Sequence, residues 1–251
     1  MGSTTVVIGP ALGVAAVLAV VLAAAVAAGA RLGVARSTVT AAVRATLQLG
    51  AVSLLIGAIV GSALASIGFV LVMVVVAAWT GGRRMTVDRS GWWALIPIAI
   101  CPLPVVGALV AGGVVPASGI AVIPMAGILI GSAMSATALA GRRALDELHA
   151  RRGEVEAALA LGFLPRDAAL EIARPSAAQA LMPALDQTRT VGLVSLPGAF
   201  VGMLMGGATP IQAGAVQLLV LLMQVAGATV AVTLTLELVG RGMIRRPVPV
   251  G

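Results

Sequence analysis

The sequence predicts an all-α polytopic membrane protein with about seven transmembrane helices, and three observations predict it. Of its 251 residues 60% are hydrophobic and only 10% charged, with a mean hydropathy of +1.10. Soluble domains carry about 25% charge to wet their surfaces. Four stretches, Val6–Ala30, Ala45–Gly82, Ser90–Gly141 and Thr190–Leu236, contain no charged residue. A bilayer core of roughly 30 Å takes about 20 apolar helical residues to cross, so each stretch holds one span or more. Finally, the charges collect in alternate connections between apolar runs. Residues 1–251 read as a single transmembrane domain in the cell (inner or plasma) membrane.

In chain order the spans fall at about 6–30, 40–60, 64–80, 92–112, 120–140, 187–206 and 212–236. The N-terminus lacks the positive run of a secretory signal, so 6–30 is read as a true first span. Arg31, Arg36 and Arg44 follow it or enter the second span, while the 61–65 turn is uncharged. Arg83, Arg84 and Arg89 follow the third span, and the 111–119 loop is again uncharged. The long polar segment Arg142–Asp186 comes next, then an uncharged 206–211 turn, then Arg241, Arg245 and Arg246. The positive-inside rule fits one orientation, with the N-terminus outside and the C-terminus cytoplasmic. Trp79, Trp92 and Trp93 flank the Arg83–Arg89 loop, where indole rings favour the interface.

Segment 142–182, between the fifth and sixth spans, reads as a cytoplasmic helical hairpin. Its first helix, Arg143 to about Leu161, carries Glu147/Arg151 and Arg152/Glu156 at i,i+4. Gly162 suits the C′ position and Pro165 the first turn of a second helix reaching Ala173, which Arg174-Pro175 ends or bends. Spacing alone fits a solvated hairpin and a partner-docking element equally well.

The residue inventory excludes several chemistries. The net charge of +7 comes entirely from arginine. A P-loop needs a lysine, and the chain has none, so it cannot itself hydrolyse ATP by that route. Proton coupling needs a carboxylate or histidine inside the membrane. All nine acids fall in loops or at span ends, and the single His149 lies in the charged segment. A lone Cys101 excludes an intrachain disulfide or a Cys-based zinc site. Ser53, Ser132, Ser135 and Ser195 have no acid or histidine beside them in the spans, which argues against enzymatic chemistry. The arginines sit in short loops between spans, which points to membrane topology rather than nucleic acid. A transporter built on this chain borrows its energy from a separate ATPase. A passive channel or membrane scaffold is the rival reading.

The fifth to seventh spans are the expected pathway. Gly127 and Gly131, and Gly198, Gly202 and Gly206, permit close backbone approach. Ser195-Leu196-Pro197-Gly198 predicts a kink or unwound turn, which either marks a substrate site or is a simple packing kink. Met125, Met134 and Met203 offer soft sulfur to a metal, or merely fill space. Gln48 and Gln217 are polar residues deep in spans that bond between helices or touch substrate. Together with Ser132 these are the candidate pathway residues, and no metal ligand set can be named.

Ile123-Pro124-Met125-Ala126-Gly127, the run Glu156-Ala157-Ala158-Leu159-Ala160-Leu161-Gly162 and above all Thr190-Val191-Gly192-Leu193-Val194-Ser195-Leu196-Pro197-Gly198 resemble the FetB (YbbM) family. Ala208-Thr209-Pro210 and Val216-Gln217-Leu218 continue the likeness, which runs from about Arg44 to Leu236. That family supplies permease subunits of an ABC transporter implicated in iron export. Related plant proteins are linked to aluminium tolerance, with nucleotide sugars a suggested cargo. The resemblance implies that Glu156, Ala157, Ala158 and Gly162, with Phe163, Leu164, Pro165, Arg166 and Asp167, couple to the ATPase. It further implies two permeases with two ATPases, the ATP and Mg being held by the partner and no cofactor by this chain. The family carries Gly-Asn-Ala/Ser-Met where this chain has Gly131-Ser132-Ala133-Met134, and a Met-Met pair where it has Ala199-Phe200. If those positions bind metal in the family, two soft ligands are lost here, which counts against iron. A nucleotide sugar or lipid competes with iron as cargo.

Overall fold

A computed structural model describes residues 9–59 and 61–247, and every regular element among them is helical. Six helical segments are long and apolar enough to cross a membrane. The chain divides into two units, Met1–Gly61 and Ser62–Gly251.

The first unit is a helical pair, α1 (Pro10–Gly29) and α2 (Ala35–Ile59). Pro10 opens α1 at a position whose N–H has no helical partner anyway. In the turn between them Arg31 (φ 53°) and Gly33 (φ 72°) take left-handed conformations. Ala27 is buried, whereas Leu18, Leu22 and Leu54 are more than 60% exposed. Such a surface is stable only against hydrocarbon or other protein. The residues before Gly9, where the first span was expected to begin, lie outside the described residues.

The second unit is built on three long helices, α3 (Ala63–Met85), α6 (Gly119–Ala150) and α11 (Pro210–Gly240). Ser62 caps α3 by accepting the Ala65 N–H at 3.3 Å. Thr209 and Gln212 form a reciprocal capping box at the start of α11, with Pro210 at its first turn. The fourth expected span is composite. A 3₁₀ turn at Arg89–Ala94 runs into α4 (Leu95–Ala99), and α5 (Pro102–Ala111) restarts beyond Ile100-Cys101. Proline at 97, 102 and 104 explains the interruption.

Alanine and glycine line the seams between the long helices. Ala133, Ala140 and Ala144 of α6 and Ala228 and Ala231 of α11 are almost fully buried. At Gly141 a β-carbon would run into Met85 of α3 and Thr235 of α11, so three helices converge on one glycine. With no hydrophobic drive between helices in lipid, such small residues let dispersion hold the bundle. The expected close approach at Gly131, Gly198 and Gly202 is not found in the single chain, where a β-carbon would meet nothing within 4 Å.

At 32 and 31 residues, α6 and α11 are about 46–48 Å long, so both overshoot a 30 Å hydrocarbon core. Their charged ends emerge together. Arg246 donates to the Met85 carbonyl (3.3 Å) and pairs with Asp146. The Arg83–Arg89 loop, the hairpin and the C-terminal segment thus share one face, as the alternation of charges requires.

Two expectations change. The span placed at 187–206 is not one helix but α9 (Met182–Thr190) and α10 (Gly198–Met205), separated by 191–197. At nine and eight residues they are only about 12–14 Å long, and neither can cross alone. In the hairpin, the fifth span's helix runs on to Ala150, and a joint at Arg151 starts the separate α7 (Arg152–Ala160). The second hairpin helix, α8 (Pro165–Ala178), passes through Pro175. The bond that Pro175 forfeits is to the Glu171 carbonyl, and both residues are exposed, so water takes the vacancy. The opposite face, with Ala168, Ala169, Ile172, Ala173 and Ala177 buried, keeps the helix going.

Candidate functional site

The break begins where Thr190 ends α9 and Gly192 (φ 84°) adopts a conformation that disfavours any side chain. Gly192 N–H donates to the Ser195 carbonyl (2.9 Å) and Val194 N–H to Thr190 (2.9 Å), closing a tight loop. Pro197, extended and without an N–H, then launches α10 at Gly198. The carbonyls of Gly192, Leu193 and Val194 accept no bond among the described residues. Unsatisfied peptide groups are excluded from lipid, so this loop faces protein or a wet path.

Beneath the break lies a cavity of about 310 Å³ bordered by Val191, Leu196, Pro197, Phe200 and Gln217. Gln217 is 5% exposed, and its Oε1 has no hydrogen-bond partner among the described residues. A buried amide oxygen left unpaired costs about 1–3 kcal/mol. Ser195 itself is exposed and does not border the cavity.

A second cleft, about 280 Å³, lies between α6, α9 and α11, with Ser132, Ser135, Gln187 and Gln224 among its lining residues. Its walls are mostly apolar, with Ala136, Leu139, Pro183 and Ala184 among them, and two hydroxyls and two amides interrupt them. Ser132 thus sits on one cavity and Gln217 and Pro197 on the other, both against α11. The methionines do not gather. Met134 lies over Gly81 of α3, and Met125 and Met203 are half-buried in α6 and α10. Gln48 lies in the first unit, on the α2 face that carries Thr40, Arg44 and Leu47. Among the described residues, no three His, Cys, Asp or Glu side chains cluster to hold a metal ion.

The hairpin is built for rigidity at its base and greasiness at its tip. Arg151 bridges Glu147 (3.3 Å) and Glu154 (2.7 Å) across the α6–α7 joint, and Arg152 meets Glu156 at 2.9 Å. The Glu154 carboxyl is held below its ordinary range, first by the Arg151 hydrogen bond. Ala157 and Ala158 fill the middle of α7, and Gly162 (φ 91°) turns the chain. Leu161, Phe163 and Leu164 are then 81%, 49% and 67% exposed, with Pro165 opening α8. Arg166 turns inward. Its guanidinium grips both oxygens of Glu237 on α11 at 2.7 Å and touches Asp167 at 2.6 Å. Two carboxylates hold its pKa above the ordinary arginine value, Glu237 contributing most. Arg241 closes on Glu237 at 2.6 Å, and Leu170 packs where a β-carbon on Gly240 would stand.

Sequence reasoning missed Glu237, Arg241 and Gly240 as partners of the hairpin. The pairing spans 71 residues, and no local spacing rule reaches that far. Gln187 was hidden within a segment read as lipid-crossing.

The break, the cavity above Gln217 and the docked hairpin all fall within residues 11–244, which match the uncharacterised protein family UPF0014. The chain belongs to the UPF0014 family. Other UPF0014 proteins resemble it in part. The rice (Oryza sativa subsp. japonica) UPF0014 membrane protein STAR2 is 39% identical over 64% of this chain and 57% of its own length. Protein ALUMINUM SENSITIVE 3 of Arabidopsis thaliana is 40% identical over 64% and 59%. The probable iron export permease protein FetB of Escherichia coli strain K12 is 30% identical over 62% and 60%. The chain therefore spans about three fifths of the length of these UPF0014 relatives. No solved structure matches it.

Proposed function

We propose that this chain is the membrane-spanning permease subunit of an ABC transporter, driven by a separate ATPase and exporting a metal, with iron the first candidate. The supporting observation is the apolar tip of the hairpin. Leu161, Phe163 and Leu164 are exposed among Arg152, Glu154, Glu156 and Asp167, on the side where the charged ends of α3, α6 and α11 meet. An exposed apolar cluster with a charged rim, outside the bilayer, fits a partner surface. Two ATPases holding ATP and Mg would serve two copies of the permease. The unsatisfied break at 191–197 fits a path between those copies.

In this reading ATP binding draws the two ATPases together and displaces the α7–α8 tip in each permease. Arg166 and Leu170 carry the displacement into the base of α11 through Glu237 and Gly240. Further along the same helix, Gln217 shifts against Pro197 and opens or closes the cavity to one side. Iron enters as substrate because FetB is named for its export. The uncharged hydroxyls and amides of Ser132, Ser135, Gln187 and Gln224, set in an otherwise apolar cleft, fit a second cargo, the sugar of a nucleotide sugar.

Co-expression with the ATPase subunit tests the proposal. Leu161→Asp with Leu164→Asp should abolish co-purification while leaving the permease's own melting temperature unchanged. Joint charge reversal at Glu156 and Arg166 should weaken it too, and tight binding by both variants would refute the docking surface. In proteoliposomes, ATP hydrolysis stimulated by ferrous iron supports the metal cargo; stimulation by a nucleotide sugar alone transfers the site to the second reading.

A further inference from the structure

The end of α3 and the 3₁₀ turn that follows it hold a basic hollow that neither the cavities near Gln217 nor the hairpin uses. Gly82 and Gly91 pass so closely that a β-carbon on either would press on the other's backbone. This contact locks the loop into a hollow of about 100 Å³ walled by Trp79, Arg83, Asp88, Arg89 and Trp92. The C-terminal segment braces it from behind, with Thr86 and Ser90 hydroxyls donating to the Arg245 carbonyl at 2.8 and 3.2 Å.

The hollow is net positive, its wall arginines Arg83 and Arg89 outnumbering Asp88. Arg83, Arg84 and Arg89 have no carboxylate partner among the described residues, and Arg83 donates only to the Val87 carbonyl at 3.3 Å. The one acid present, Asp88, is already engaged by the Arg89 N–H (2.7 Å) and by Arg245 (3.8 Å). Apolar surface leads directly away from these guanidinium groups. Val72, Val75, Val76 and Trp79 are exposed at i, i+3, i+4 and i+7 on α3, and Trp92, Leu95 and Ile96 form a parallel exposed stripe. The indoles mark the depth where headgroup meets hydrocarbon.

We infer that this hollow binds the phosphate of an anionic phospholipid, whose acyl chains lie along the Val72–Trp79 and Trp92–Ile96 stripes. A free anion would satisfy the arginines and leave the stripes bare. A zwitterionic lipid would cover the stripes but bring a cation to a cationic hollow. Only an amphiphile with a net negative head answers both halves of the surface.

All three tryptophans of the chain flank this loop, so their fluorescence reports on it. The test is quenching of the purified full chain in neutral detergent by dibrominated phosphatidylglycerol or phosphatidylcholine. Phosphatidylglycerol should quench at a mole fraction about tenfold lower. R83Q/R89Q should abolish that preference, whereas R142Q, an exposed arginine elsewhere on the charged face, should keep it. Equal quenching by the two lipids, an unaffected double variant or an equal loss in R142Q overturns the site. Displacement of the lipid by millimolar inorganic phosphate would make it a free-anion site instead. Native mass spectrometry of the unaltered chain gives an independent reading: preferential retention of phosphatidylglycerol supports the site, and equal retention of phosphatidylcholine refutes it.

Discussion

Arg166 at the start of α8 and Glu237 near the end of α11 form a two-point ion pair, both nitrogen–oxygen distances being 2.7 Å. Fork-to-fork geometry fixes orientation as well as separation, so the two helices cannot pivot freely about the contact. Glu237→Gln should therefore leave ATPase association intact but uncouple it, with hydrolysis retained and transport reduced about tenfold or more. Parallel loss of binding and transport would make Glu237 merely a folding residue. Arg166→Lys, which keeps the charge and loses the fork, should lie between wild type and the Gln variant.

Gln217→Leu should separate stability from function. Removing an unpaired buried amide should raise the folded chain's stability by up to about 1 kcal/mol, because no hydrogen bond is lost and a desolvation cost disappears. Transport should fall, since the cavity loses its inward polar atom. A lowered melting temperature with normal transport would assign Gln217 to packing.

Gly82→Ala should be severe for so small a change. The added methyl would meet the Gly91 backbone, which cannot rotate aside as a side chain could. Overpacking of this kind costs about 3 kcal/mol, a fall of roughly 6–12 °C in melting temperature for a chain this size. Fluorescence-detected size exclusion after heating measures it. Gly131→Ala, where a β-carbon has open space, should move the midpoint by no more than about 2 °C.

Acid should loosen the hairpin joint before neutral pH does anything to it. Arg151 keeps the Glu154 carboxyl below its usual range, and the Arg89 N–H does the same for Asp88. A carboxyl whose folded pKa is depressed stabilises fully above its unfolded pKa, about 4. That contribution is lost as pH falls through the folded value. Melting midpoints should be flat from pH 8 to 5 and decline below about 4, with a shallower acid decline in Glu154→Gln. An identical acid slope in that variant would remove Glu154 from the account.

Long apolar helices and alternating charges were readable because each depends on composition within one segment. A break near Ser195-Leu196-Pro197-Gly198 was readable for the same reason, since proline and glycine act locally, though it begins earlier, at Val191. Its consequence was not: treating 187–206 as one span ignored Gln187 and Arg189, which with Asp186 keep α9 polar. Length also misled at the fifth span, which continues to Ala150 because Ala140, Gly141 and Ala144 go on packing beyond the bilayer's apolar limit. The hairpin's internal pairs, Glu147/Arg151 and Arg152/Glu156, stand as spacing predicts. Pro175 was weighed by propensity alone, and the burial of Ile172 and Ala177 outweighed it. What the hairpin rests on, Glu237 and Gly240, becomes visible only when distant segments meet.

The unbroken run of α11 has a mechanical corollary. Between Gln217 and Glu237 the helix contains no proline, and twenty residues of it measure about 30 Å. A rod of that length tilted by about 5° sweeps its far end through roughly 2.5 Å, close to the diameter of a water molecule. The membrane-buried amide would thus register small rocking at the distant arginine clamp without any side chain between them having to change rotamer.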